Sequence, residues 1–322
     1  MTDDLAPPPG PAAPLPAVSV VLPAYNRADS IRLAIDSVLR QSFADFELII
    51  VDDASTDGTR AVAEAVADPR VRVIAHPANR GASAARNTGV AAARAPFVAF
   101  QDSDDEWLPL KLEKQMARLQ APGAPAYVAV YCGMIVLGSH SDLSGRGRAR
   151  VAYVPDPAAT PVEGDIFESL MRTSLASTQT LVVRRDRMLE VGGFDEEMPA
   201  LIDWECMLRL APLGPVACVD EPLVIQRFSP NSITREAVKR AHARARAVAR
   251  HRDRLARHPA AHAGLLYAVA GGLRDIGETA AAARALAEAA RITPLSARIR
   301  AMQAYVALLA LRARLGGGRP AG

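Results

Sequence analysis

The chain has 322 residues, 50% of them hydrophobic and 23% charged, which is enough to bury a large core and too apolar for a protein disordered throughout. Its formal net charge of +3 is unevenly placed, because residues 235–258 carry nine Lys or Arg against two acids, a local +7 that leaves −4 for everything else. No apolar run reaches membrane-spanning length: the best late candidate, residues 301–311, runs straight into Arg312 and Arg314, so the chain is not expected to cross a membrane, though it could lie against one.

In chain order, residues 1–16 are acidic and then Pro/Ala-rich, with neither a basic nor an apolar leader segment, and are expected to be a disordered tail. Val18-Ser19-Val20-Val21-Leu22-Pro23 reads as a strand and Ala24-Tyr25-Asn26-Arg27 as the loop behind it. Asp29 or Ser30 can cap a helix whose Ile31, Ala34, Ile35 and Val38 share one face. A second buried strand, Glu47-Leu48-Ile49-Ile50-Val51, runs into Asp52-Asp53-Ala54-Ser55-Thr56-Asp57-Gly58. A helix over 59–67, a strand over 71–74 and a helix over 82–94 lead to Phe97-Val98-Ala99-Phe100, which ends in Gln101-Asp102-Ser103-Asp104-Asp105-Glu106-Trp107. Strands and helices alternating at these spacings predict βαβ units and a parallel sheet.

Two acid-tipped strands therefore share one edge of that sheet, where ligands of open α/β sheets bind. Four acids within residues 102–106 repel one another unless a cation joins them. Asp102 and Asp104 can aim their oxygens at one point, a donor set that suits Mg²⁺ or Mn²⁺ rather than zinc. The competing reading is a set of caps for the helix beginning near Pro109. An EF-hand loop is excluded by Trp107 in the position that needs Gly. Neither a Gly-x-Gly-x-x-Gly nor a Gly-Lys-Ser/Thr element is present, so a metal must neutralise any bound phosphate. Asp53 could accept from a base N–H or a ribose hydroxyl, or simply form its turn. Arg80 and Arg86 put two guanidiniums near the same edge, Arg86 with the alternative of an ordinary surface charge.

Four pieces in order, Pro23-Ala24-Tyr25-Asn26, Val51 to Gly58, Asn79-Arg80-Gly81-Ala82-Ser83-Ala84-Ala85-Arg86-Asn87 and Asp102-Ser103-Asp104-Asp105, make the stretch from Val18 to Trp107 resemble the N-terminal half of a family 2 glycosyltransferase. The resemblance implies a GT-A fold: an α/β domain over 17–234, with a mostly parallel sheet flanked by helices, a nucleotide-binding half (17–120) and an acceptor half (121–234). An all-helical, basic, Ala/Arg-rich extension follows at 235–315, and a disordered tail at 316–322. It also implies that Pro23, Ala24, Tyr25, Asn26 and Asp53 hold the nucleoside, commonly uridine, with Arg86 nearby. Asp102 and Ser103 would reach the ribose and Asp104 the diphosphate-bound metal, Mn²⁺ or Mg²⁺.

Beyond residue 120, strands over 127–137 and 179–184, a polar loop over 138–150 and a helix over 164–173 lead to Val191-Gly192-Gly193-Phe194-Asp195-Glu196 and then Asp203-Trp204-Glu205. This pair of segments resembles the part of the family that carries the catalytic base, which makes Asp203 the base and Trp204 a wall of the acceptor pocket. Read on their own residues, the same two could be an N-cap and a core indole. Family relatives often carry a His where this chain has Ser229, with Arg227 the alternative phosphate contact.

The activity implied is transfer from a nucleoside-diphosphate sugar, UDP-linked by resemblance, to a saccharide or lipid-linked acceptor with inversion, in cell-surface polysaccharide or glycoconjugate synthesis. The other classes in view are a silent GT-A domain acting as a scaffold and a nucleotidyltransferase, which would bring a Gly/Lys-rich first loop. The three cysteines, Cys132, Cys206 and Cys218, lack zinc or redox spacing and are expected as reduced thiols of a cytoplasmic protein. The basic stretch 235–258 is a candidate for peripheral contact with the inner face of the cell membrane; without aromatic interleaving or a recognisable module, no nucleic acid is expected. Residues 267–294 resemble one helix-turn-helix unit of the tetratricopeptide kind.

Overall fold

The computed structural model describes residues 14–138, 150–154, 162–227 and 236–316. The expected tails and the greater part of the 138–150 loop lie outside these ranges, as does Ser229. The four expected strands form β1 (Val18–Ala24), β2 (Phe46–Asp52), β3 (Val71–Ala75) and β4 (Phe97–Phe100), interleaved with α1 (Ile31–Leu39), α2 (Thr59–Glu64) and α3 (Ala82–Ala92). They pair parallel in the order β3-β2-β1-β4, with Val20 opposite Leu48 on one side and Ala99 on the other. Every residue of β1 and β2 is buried, which is why these strands read as mainly apolar runs rather than alternating ones; one polar pair among them, Ser19 and Glu47, is joined by a 2.6 Å hydrogen bond.

The second half makes the sheet mixed. It contains β5 (Glu106–Trp107), α4 (Lys111–Gln120), β6 (Ala129–Gly138), β7 (Arg150–Val154), α5 (Phe167–Arg172), β8 (Val182–Arg184), α6 (Arg185–Glu190), α7 (Ile202–Leu210) and β9 (Val216–Arg227). The order continues β4-β8-β6-β9-β5, with β8 antiparallel to both β4 and β6, and β9 parallel to β6. The parallel expectation thus describes the first four strands; four pairings are parallel and four antiparallel across the sheet. The twelve-residue β9 has no counterpart in the sequence reading. Asp220-Glu221-Pro222 interrupts its apolar pattern, and the ladder to β6 shifts register at the same place, between Cys132 and Met134.

The sheet separates two apolar cores, because alternate strand residues face opposite ways. Val20, Leu22, Leu48 and Ile50 pack with Ile31, Ile35, Leu112 and Met116 on one face. Val21, Ile49, Val51 and Phe100 pack on the other with residues of α3, α5 and α7. Helix α3 lies very close to β1: a Cβ on Gly89 would stand 2.3 Å from Cγ1 of Val21.

The extension comprises α8 (Ala237–Arg250), α9 (Arg252–Leu255), α10 (Pro259–Asp275), α11 (Thr279–Ile292) and α12 (Ala297–Gly316). Helices α10 and α11 form a hairpin whose turn is a Schellman cap: Gly277, at φ +86°, donates to the Arg274 carbonyl (2.9 Å), and Glu278 donates to that of Leu273 (2.9 Å). The extension shares the α3-side core with the sheet domain. Four of its arginines meet partners on other elements. Arg250 meets Asp195 at 2.6 Å, Arg246 pairs with Glu197, Arg252 meets Glu288 at 2.7 Å, and Arg254 donates to the Leu208 carbonyl at 3.3 Å. No helix among the described residues is long and apolar enough to cross a membrane.

Candidate active site

The loops after β1, β2 and β4 meet at the carboxyl edge of the sheet. Asn26, at φ +51°, ties the first loop to the second: its N–H donates to Ser55 Oγ (3.0 Å) and its Oδ1 accepts from the Thr56 N–H (2.8 Å). Arg27 N–H donates to Thr59 Oγ1 (2.6 Å) and Ala28 N–H to Asp57 Oδ2 (3.1 Å). Pro23 and Ala24, expected at the loop, are buried final residues of β1, whereas Tyr25 is 44% exposed and Asn26 is exposed. The surface offered to a ligand on this side is therefore Tyr25 and Asn26, supported from below by Pro23 and Ala24.

Asp53 is 2% exposed. Its carboxylate accepts from the N–H of Arg80 (3.0 Å) and of Gly81 (2.7 Å) and lies 2.7 Å from Nδ1 of His76. Gly81 holds φ +88° there and opens α3, a backbone state that glycine takes without strain. Asp53 thus fastens the 76–81 loop, and a ligand donor could reach its oxygens only by displacing one of these groups.

Arg86 is 5% exposed rather than a surface charge, and its Nη2 donates to Asp102 Oδ1 at 2.5 Å. Its Nε and Nη1 are buried without a hydrogen-bond partner, and its guanidinium lies 5.7 Å from the centre of the Phe194 ring. Unpaired guanidinium N–H groups in a buried position are costly and mark where an acceptor atom would be held. Asp104 is half-buried, with Arg27 Nη2 3.8 Å from its Oδ2. Burial, with the charge of Asp102, raises its carboxyl above the ordinary range, opposed by Arg27 and Arg86. Ser103 is buried. Asp105 is 2% exposed and pushed well above its usual value by burial and by Asp102 and Asp104; it accepts from the Arg227 N–H at 3.0 Å. Arg227 also pairs with Glu106 at 3.2 Å, so it braces the acidic turn.

Among the described residues no three acidic, His or Cys side chains converge as a metal cage. Asp102 and Asp104 still fit a hard divalent cation, since Mg²⁺ in particular is held by one or two carboxylates together with substrate phosphates and water. Burial first, and then the charge of Asp102, raises the proton affinity of Asp104, and a cation would relieve the second of these.

Asp203 stands in the first turn of α7, whose entry residue Leu201 is held left-handed at φ +56°. The Asp203 carboxylate accepts from the Trp204 N–H at 2.8 Å. It keeps part of its surface open although it lies deep among protein atoms. Burial raises it above the usual carboxylate range, against the pull of the Trp204 N–H and Arg86 and with a further push from Asp102. Asp203 and Asp102 therefore feel each other electrostatically, and Arg86, paired with Asp102, acts on both. Trp204 is 5% exposed, belongs to the core and donates its indole N–H to the Leu170 carbonyl at 2.6 Å, which fastens α7 to α5.

Several positioning residues escaped the sequence reading. Asn87 grips the Gly-Gly-Phe turn: its Oδ1 accepts from the Phe194 N–H (2.8 Å) and its Nδ2 donates to the Phe194 carbonyl (2.9 Å). A Cβ on Gly193 would stand 2.4 Å from that Oδ1. Arg209 donates to the carbonyls of Val191 and Gly193, both at 2.6 Å, and to Glu205 at 2.6 Å. Glu205 is fully buried, with His251 Nε2 at 3.4 Å and Arg250 Nε at 3.5 Å. Burial alone would push its carboxyl up, but His251, Arg209 and Arg250 hold it down at about 2. The available signal was Glu205 and Arg209 at i,i+4 in a mainly apolar helix.

Residues 19–142 match the sequence profile of Glycosyl transferase family 2, so this segment is similar to that family. Its relatives include the succinoglycan biosynthesis protein ExoO of Rhizobium meliloti, 46% identical over 110 residues, which are 34% of this chain and 32% of that protein. Another is the Escherichia coli UDP-Glc:alpha-D-GlcNAc-diphosphoundecaprenol beta-1,3-glucosyltransferase WfgD, 40% identical over 102 residues, 32% of this chain and 40% of the relative. The chain thus spans well under two thirds of these relatives' length. In fold it is similar to Staphylococcus aureus TarS residues 1–349 in complex with UDP-GlcNAc, with a TM-score of 0.64 at 19% identity over 88% of this chain and 83% of that one. It is also similar to the mannosyltransferase PcManGT of Pyrobaculum calidifontis in complex with GDP-Man and Mn²⁺, with a TM-score of 0.59 at 23% identity over 96% and 83%. The architecture is the GT-A type.

Proposed function

We propose that the chain transfers a glycosyl group from a nucleoside-diphosphate sugar, UDP-linked, to a hydroxyl of a saccharide acceptor, in cell-surface polysaccharide or glycoconjugate synthesis. The observation that carries this reading is the gathering of Asp102, Asp104, Arg86 and Asp203 from three separate segments at one edge of the sheet. The relatives' names support the pathway class, and the name of WfgD supports both a UDP-linked donor and an acceptor carried on a lipid diphosphate. The TarS complex supports a nucleotide donor and the PcManGT complex a divalent metal.

In this reading Tyr25 and Asn26 receive the nucleoside and Asp53 holds the loop beneath it. Asp102 and Ser103 face the ribose, Asp102 being oriented by Arg86. Asp104 and Asp102 would hold Mn²⁺ or Mg²⁺, which supplies positive charge to the departing diphosphate. Arg27 and Arg86 add fixed positive charge beside it, and they need no reorganisation as the leaving group charges. Asp203 takes the proton of the acceptor hydroxyl as its oxygen attacks the anomeric carbon. A single carboxylate base, with no second one placed as nucleophile, gives direct displacement and inversion.

Calorimetric titration with UDP, with and without Mn²⁺, tests the donor half. Metal-dependent binding that Asp104→Ala weakens at least tenfold is expected. Failure to bind UDP under either condition sinks the UDP reading, and failure with every nucleotide sinks the transferase reading.

A further inference from the structure

Helix α12 closes the helical extension, and only one of its sides is covered. Its inner side buries Ile299 and Val306, and Gln303 donates from Nε2 to the Leu286 carbonyl at 3.3 Å. The opposite side presents Leu308 and Leu311, which are 44% and 52% exposed and three apart, with exposed Ala301 and Ala304 beside them; Tyr305, 49% exposed, forms the edge of this strip, with the Arg274 guanidinium of α10 5.7 Å from its ring centre. A surface helix of a soluble domain would carry polar residues there. Just before the helix, Leu295 is 97% exposed.

The charge on this helix has one sign. Arginines stand at 298, 300, 312 and 314, and the sequence has no acid after Glu288. Arg298 lies 4.0 Å above the Tyr267 ring and Arg300 donates to the Pro294 carbonyl at 3.3 Å, while Arg312 is exposed. On a helical wheel Arg298 and Arg300 flank the apolar stripe on either side, and Arg312 stands at its far end. Long basic side chains around an apolar strip match a bilayer interface, where the strip enters the acyl boundary and the guanidiniums meet lipid phosphates.

We propose that the outer face of α12 docks on an anionic membrane surface, with the helix lying in the plane of the interface. Charge decides between this occupant and a second copy of the chain. A two-fold pairing of α12 with itself would bring arginines against arginines with no acid to compensate, whereas acidic lipid supplies the counter-charge. In 235–258, by contrast, Arg246, Arg250, Arg252 and Arg254 meet internal partners and, among the described residues there, Val238 alone is a large apolar side chain left exposed, so that stretch offers no apolar strip like that of α12. The proposal does not depend on the transferase reading.

Its test is co-sedimentation of the full chain at low salt with vesicles of phosphatidylcholine alone and of phosphatidylcholine mixed equally with phosphatidylglycerol. Wild type is expected to bind only the acidic vesicles. The double variant Leu308→Glu/Leu311→Glu should lower the partition coefficient about a hundredfold, taking roughly tenfold for each buried leucine. Leu189→Glu, which removes a 47% exposed leucine on α6, should leave it unchanged. Far-ultraviolet circular dichroism and thermal melting establish that the variants are folded. Equal vesicle binding by wild type and the double variant, or none by wild type, would overturn the proposal. So would sedimentation equilibrium showing a wild-type dimer that the double variant converts to monomer, because the face would then hold a second copy.

Discussion

Replacing Glu205 by Gln tests whether the buried ion network under the candidate base helix is held by charge. The carboxyl sits at about 2 in the folded protein against a reference of 4.5, a difference worth about 3 kcal/mol at roughly 1.4 kcal/mol per unit. Because the folded value is the lower one, this stabilisation is fully present above the unfolded value and is lost as pH falls through the folded one. Gln keeps the shape and one acceptor oxygen but not the charge that faces Arg209, Arg250 and His251. Urea unfolding at pH 7 should therefore show Glu205→Gln less stable by about 3 kcal/mol, and the gap should shrink to less than half of that at pH 3. A gap below about 1 kcal/mol at pH 7, or one that does not change with pH, would refute the reasoning.

Asp203→Asn should cut transfer by about 10²–10⁴-fold, the range for loss of a general base, while leaving UDP affinity within about twofold by calorimetry; equal loss of both would make Asp203 structural. Since burial raises Asp203 and its ionised form is the active one, transfer should rise with pH through a limb above the ordinary carboxylate range. Gly89→Ala should destabilise the fold by about 1–3 kcal/mol in thermal or urea unfolding. Its Cβ would stand 2.3 Å and 2.9 Å from the two methyl carbons of Val21, and a neutral or stabilising outcome would show that α3 can move off β1.

The parallel half was legible because its signals are local. Val20 to Leu22 and Leu48 to Val51 are apolar without interruption, as strands buried on both faces tend to be, and acids behind the second of them point to the carboxyl edge. What was not legible depends on distant partners. Nothing near Asn87 in the sequence announces that it will hold Phe194, 107 residues away. Trp204 carries a polar handle that suits a pocket wall equally well until the Leu170 carbonyl is found to accept it. Strand β9 was hidden by Asp220-Glu221-Pro222, which reads as a turn and in the structure lies at the register shift of a continuing strand. Arg86 was ambiguous for a related reason: helical periodicity places it on α3 but does not say that Asp102 faces that side.

These distant contacts form one connected path from the extension to the acidic turn. Arg250 and His251 face Glu205, Glu205 holds Arg209, and Arg209 holds the carbonyls of Val191 and Gly193. Asn87 grips the next residue of that turn, Phe194, and its neighbour Arg86 holds Asp102. Asp203 begins the helix that carries Glu205 and Arg209, so its position relative to Asp102 and Asp104 is set from both ends of this path. A buried charge network is a poor source of net stability but a demanding one in geometry, since each ion tolerates few placements of its partner. That account gives two arginines of the basic stretch 235–258 a structural reason. Arg246 and Arg250 meet Asp195, Glu197 and Glu205, on the turn and helix that deliver the candidate base.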